Sequence, residues 1–131
     1  MTERHVIGGV PYVPVGTSTV EHDVWIMGRV HRAGLDEVLV HAGESPDEWG
    51  KRLLFEAMAS GEALMLLAGL LVPEKVGAEG WTPEVAEQTA AAFGKLTADS
   101  DKEALYGLLL STLIAFFETG LSSFVTTKTS S

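Results

Sequence analysis

Between Ala104 and Phe117 the chain reads ALYGLLLSTLIAFF, fourteen residues without one charge in a protein whose formal net charge is −9. A helix this apolar has no face suited to water, so the fold or a partner must be arranged to cover it. Neither this run nor the second apolar stretch, Glu62 to Val72, reaches the roughly 20 residues that a membrane-spanning helix needs. The expectation is a soluble protein whose function lies in how this helix is covered.

With 131 residues the chain has the size of one domain and can bury a real core without staples. Hydrophobic residues make up 46%, alongside eighteen acids, so apolar side chains exceed what one small core hides. That excess favours self-association or a protein partner. Nine Lys and Arg against eighteen Asp and Glu repel phosphate backbones and anionic lipid, which argues against nucleic acid or a membrane as a direct ligand. The absence of cysteine removes disulfides and thiolate metal sites and suits a reducing cytoplasm. The start, MTERHVIGG, lacks the basic region and apolar run of a signal peptide.

Along the chain, RHVIGGVPYVPV (residues 4–15) predicts a β hairpin turning at Gly8-Gly9, with Pro11 and Pro14 placing the second strand at an edge or making it irregular. Ser18 and Glu21 form a capping-box pattern that starts a helix over 19–33. Val20, Val24, Met27 and Val30 recur on one face of it, and Gly34 stops it. Residues 35–43 fit a short strand, a helical turn or a packed connection. Ser45-Pro46-Asp47-Glu48 combines cap, proline and first-turn acids, and the helix it starts is expected to bury Trp49, Leu53 and Met58, with Leu54 and Phe55 nearby, and to break or bend near Ser60-Gly61. Residues 73–81 predict a loop and an internal hinge. Thr82-Pro83-Glu84 starts a helix with Val85, Ala86, Thr89, Phe93 and Leu96 along its buried stripe. Ser100 and Glu103 give a third capping box, opening a helix that ends near Gly120, and residues 126–131 read as a frayed tail. The whole predicts a mainly α single domain: four to five helices over 19–120 and a short N-terminal hairpin.

At 100° per residue the last helix sorts into three arcs. Leu105, Leu108, Leu109, Leu113 and Phe116 share one face with Thr112. Tyr106, Leu110, Ile114 and Phe117 form a second, and Ala104, Gly107, Ser111 and Ala115 make a seam of small residues that lets another backbone approach. One reading makes this the central helix of a bundle. The other leaves one large face open for a partner helix or a second copy. On the second reading Leu105, Leu109, Leu113, Phe116 and Phe117 are partner-binding candidates, joined by Trp81 in the glycine-rich loop.

Catalytic chemistry finds no foothold in the pattern. His5, His22, His31 and His41 lack the helical spacing that gathers metal ligands, and read as surface or cap residues. Gly16-Thr17-Ser18-Thr19 lacks the last glycine of a nucleophile elbow. Gly8-Gly9 and Gly77-Ala78-Glu79-Gly80 lack the lysine and hydroxyl of a phosphate loop. Acids at 36–37, 47–48 and 99–103 sit where helix starts and loops attract them, without a calcium-loop pattern. Trp25 and Trp49 read as core anchors. No cofactor, metal or enzymatic activity is expected.

The order of elements, VIGGVPYVPV first, then helices, then Thr82-Pro83-Glu84, Ser100-Asp101-Lys102-Glu103 and a closing LLLSTLIAFFETG, resembles the tail assembly chaperones of long-tailed bacteriophages. The resemblance implies a cytoplasmic protein, absent from the virion, that coats apolar segments of the tape measure protein and recruits tail tube subunits. It brings no catalytic residues. A homo-oligomer, or a structural or adaptor subunit of a symmetric assembly, would carry the same excess of apolar helix surface.

Overall fold

In the computed structural model, which describes residues 4–117, the hairpin forms as its sequence predicts: β1 (His5–Ile7) pairs antiparallel with β2 (Val10–Pro14). Gly8 and Gly9 both take positive φ, 61° and 79°, which a two-residue hairpin turn of this kind demands and a side chain resists. The second strand is not an edge. A third strand, β3 (Leu71–Pro73), pairs along its far side, so β2 is the middle of a three-stranded antiparallel sheet. Proline is tolerated there because the strands are short and its carbonyl still works. Pro11 O accepts from the Glu74 N–H at 2.9 Å, and the Val15 N–H just past Pro14 donates to Leu70 O at 3.0 Å.

Five helices fill the rest of the described residues: α1 (Val20–Arg32), α2 (Pro46–Ser60), α3 (Ala63–Leu70), α4 (Pro83–Gly94) and α5 (Asp99–Ala115). The protein is mainly α with a small antiparallel sheet. The end of α5 expected near Gly120 and the tail at 126–131 lie outside the described residues.

Local capping chemistry explains most helix starts. Ser45 caps α2 in a complete box: its hydroxyl accepts from the Glu48 N–H while the Glu48 carboxylate accepts from the Ser45 N–H. That backbone bond holds the Glu48 carboxyl below its ordinary 4.5, so the box is intact above that value and loosens as pH falls through the lowered one. Thr82 caps α4 through the Val85 N–H. Two expected boxes do not form. α1 is capped by Thr19, whose hydroxyl accepts from the His22 N–H, one residue past Ser18. α5 begins after Ala98, so Ser100 lies within its first turn beside Asp99 and Asp101, where the helix dipole favours acids.

Residues 35–43 resolve into a 3-10 turn (Leu35–Glu37) and an irregular connection that is exposed from Leu39 onward. Val38 O accepts from Trp49 Nε1 at 3.0 Å, and Leu39 O from the Arg52 guanidinium at 2.9 Å. At the preceding helix end, Asp36 lies 3.0 Å from His31 Nδ1, and this hydrogen bond with its charge raises the imidazole above the ordinary 6.5. The folded state therefore gains from this pair fully below pH 6.5 and loses the gain as pH rises through the raised midpoint. Two-dimensional NMR is expected to find the His31 midpoint above 6.5 and to see it fall towards 6.5 in Asp36→Asn. A midpoint indifferent to that substitution contradicts the pairing.

α3 is the hub. It packs against α1, α2, α4, α5 and β3, and Leu66, Leu67, Ala68 and Gly69 are all buried. Alanines Ala68, Ala86 and Ala90 bring α3 and α4 close, while Phe93 of α4 meets Tyr12 of the sheet with ring centroids 5.1 Å apart. The main core joins Ile26 and Val30 of α1, Leu53 and Ala57 of α2, Leu66 and Leu67, and Leu105, Leu109 and Leu113 of α5. Met58, expected in that core, is exposed, and Ala57 takes the buried position. On α1 the expected stripe fails at three of four positions: Val30 is buried, but Val20, Val24 and Met27 face solvent, and His22 and Ile26 face α3 instead. The reason is geometric. Ile26 Cδ1 and Trp25 Cζ3 occupy the space a side chain on Gly69 would fill, so the helix is seated by that edge.

Candidate functional site

The charge-free run does not sit at the centre of the molecule. α5 packs chiefly on α2 and lies at the side of the α3 hub. Its three arcs do not map one to one onto their surroundings, since the first divides between core and groove and Phe117 of the second joins the core. Leu105, Leu109, Leu113 and, one turn on, Phe117 enter the core; Leu110 and Ile114 lie against Gly50 of α2; the small seam of Ala104, Gly107, Ser111 and Ala115 is exposed.

Between the core arc and the seam, Leu108, Thr112 and Phe116 form one wall of an open groove of about 530 Å³. The facing wall is the β2 end, Pro14 and Val15, with Leu70 and Leu71 at the α3–β3 junction, and His5 of β1 also lines it. Among the described residues no Asp, Glu, Lys or Arg lines this groove, in a chain carrying eighteen acids and nine bases. Ser111 and Ala115 shape its outer side, where their size leaves room for another backbone. Chemically the groove is mainly apolar, with His5, Ser111 and Thr112 as its polar side chains. It suits a few large apolar side chains presented from a helix.

The partner-binding candidates therefore part company. Leu105, Leu109, Leu113 and Phe117 are core residues of this chain, the last also edge-on to Trp49 at 6.1 Å, so they hold the fold and present no surface. Phe116 lines the groove. Trp81 is half-buried and anchored: its Nε1 donates to Ala68 O at 3.1 Å, and its ring meets those of His22 and Trp25 at 4.6 and 5.2 Å. The loop that carries it is fastened rather than hinge-like. Gly16 N–H donates to Ala78 O at 2.9 Å, and the Glu79 carboxylate accepts from both the backbone N–H and the hydroxyl of Thr17.

His22 departs from the surface-or-cap expectation. It is buried, 2.6 Å from Gly69 O through Nε2, which fixes the proton on that nitrogen, and among the described residues Nδ1 has no hydrogen-bond partner. A cavity of about 120 Å³ borders it, walled by Thr17, Thr19, Glu79 and Trp81. Among the described residues no three His, Asp or Glu side chains stand close enough to hold a metal ion.

The sequence reading missed the groove's far wall and the solvent-facing apolar residues. Phe55 is 70% exposed, beside a charged hollow of about 380 Å³ that Glu37, Arg52 and Glu56 help to line. Among the described residues no single helix is long and apolar enough to cross a membrane, and α2 with α3, which together have the length, bend by 113°. Comparison of the chain with protein families, with curated proteins and with solved structures finds no match.

Proposed function

We propose that this protein is an assembly chaperone that lays an apolar helical segment of a client protein into the groove beside α5. The observation that carries the reading is an uncharged groove built on Leu108, Thr112 and Phe116 in a strongly acidic protein. Such a surface supplies affinity through apolar burial, at about 25 cal/mol per Å², while the acidic remainder keeps the complex in solution. The small side chains at Ser111 and Ala115 support close approach of the client backbone.

The resemblance to tail assembly chaperones supplies the client: the tape measure protein of the same phage, whose apolar helices are held soluble while tail tube subunits are recruited. Co-expression tests this. The tape measure protein is expected to stay soluble and to co-purify with this chain. A client that aggregates as it does alone, with no co-purification, overturns the reading. Mass spectrometry of finished particles adds a second arm, because a chaperone is absent from them and a structural subunit is present.

A further inference from the structure

We propose that α1 is a self-association surface: two copies of this chain pair their α1 helices antiparallel across a two-fold axis, through the stripe Val20, Val24, Met27 and His31. This does not rest on the client reading. α1 packs chiefly against α3 and the 3-10 turn, and on its opposite side Val20, Val24 and Met27 are 79%, 67% and 41% exposed. Helical spacing puts these three and His31 on one line, about 16 Å long.

The stripe is its own complement when reversed. With the axis passing between residues 25 and 26, Val24 of one copy faces Met27 of the other in an apolar layer that occurs twice, and at each outer end Val20 faces the His31 ring. The charges agree with that direction. Exposed Glu21 and Asp23 flank the start of the helix and exposed Arg32 its end, and among the described residues none of the three has an ion-pair partner. Arg29, by contrast, is held 3.2 Å from Glu62 and over the Trp25 ring on the α3 side.

Antiparallel pairing brings Glu21 of each copy towards Arg32 of the other and opposes the two helix dipoles, whereas parallel pairing sets like charges together. Open space over Gly28, on the same flank as Glu21 and Arg32, lets the second helix come close there. One helix pair buries less than the roughly 1,200–2,000 Å² of a tight complex, so the dimer is reversible and depends on concentration.

Sedimentation velocity over a concentration series at low salt tests the pairing. The wild-type chain is expected to move from one to two chain masses, and Val24→Glu, at an exposed position, to weaken association at least about tenfold with unchanged circular dichroism. Glu21→Arg alone and Arg32→Glu alone are each expected to weaken it about threefold, and the two together to restore it. A wild-type chain that stays monomeric throughout, a Val24→Glu protein that dimerises as well as wild type, or a double reversal weaker than either single one overturns the proposal. So does a stripe that becomes protected only when a client is bound.

Discussion

Leu109→Asp is expected to leave the protein without a cooperative fold. Leu109 is fully buried in the core layer that α5 shares with α2 and α3, flanked by Leu105 and Leu113 one turn away on either side. Removing such a leucine down to alanine costs about 2–5 kcal/mol, and placing a carboxylate there adds the cost of taking a charge out of water. A domain of this size has only about 5–15 kcal/mol to lose. Far-UV circular dichroism and urea unfolding read the result: lost helicity for Leu109→Asp, and a shift within about 0.5 kcal/mol for Ser111→Asp two residues on, where the side chain is exposed. A helical, soluble, monomeric Leu109→Asp protein would mean that this face is an interface between chains.

Gly50→Val is the second large effect. Gly50 lies in α2 where α5 crosses it, and a Cβ there would come 2.4 Å from Ile114 Cγ1, 2.5 Å from its Cδ1 and 3.2 Å from Leu110 Cδ1. Alanine is the milder change, because a gain in helix propensity of up to about 1 kcal/mol offsets a shift of the Ile114 tip. Valine adds two methyl groups to the same gap and is expected to cost about 2 kcal/mol by overpacking. Ile114→Ala in the Gly50→Val background should recover about 1 kcal/mol, although on its own it leaves a cavity and destabilises. Urea midpoints of the four proteins give the coupling. Strict additivity of the two substitutions contradicts the packing of α2 on α5.

These two sites also mark what could be read from residue order. Caps are local chemistry, so Ser45-Pro46-Asp47-Glu48 and Thr82-Pro83 locate their helices directly. Where two hydroxyls stand side by side, as at Ser18-Thr19, the pattern leaves the cap ambiguous by one residue. Helix α1 carries two apolar lines, one through Val20 and Val24 and one through Ile26 and Val30. Periodicity reveals lines but not which is covered, and the answer came from Gly69, more than forty positions away. β3 was illegible because Ala63 to Val72 is continuously apolar, and a run without a period hides the change from helix to strand.

The run from Ala104 to Phe117 shows the same division. Its three arcs follow from composition and a 100° step, and the fold keeps only the small exposed seam whole: the first arc divides between core and groove, and Phe117 of the second arc enters the core. That α3 and not α5 occupies the centre depends on packing among four helices and a sheet, which the run itself does not encode. The groove was hidden for the same reason: its walls come from residues 5, 14–15, 70–71 and 108–116, joined only by the tertiary fold.

A binding titration with a labelled peptide from the client's apolar helix, run against the wild-type chain and Ser111→Arg, puts the groove itself to the test. Ser111 lines the groove but is exposed, its hydroxyl bonded to Leu108 O one turn back, so arginine there fills the groove and leaves the core alone. The expected result is at least about a tenfold loss of affinity with an unchanged melting temperature, since a long cationic side chain must then be displaced from an apolar contact. Equal affinity for both proteins would contradict the assignment of the groove beside α5 as the client site.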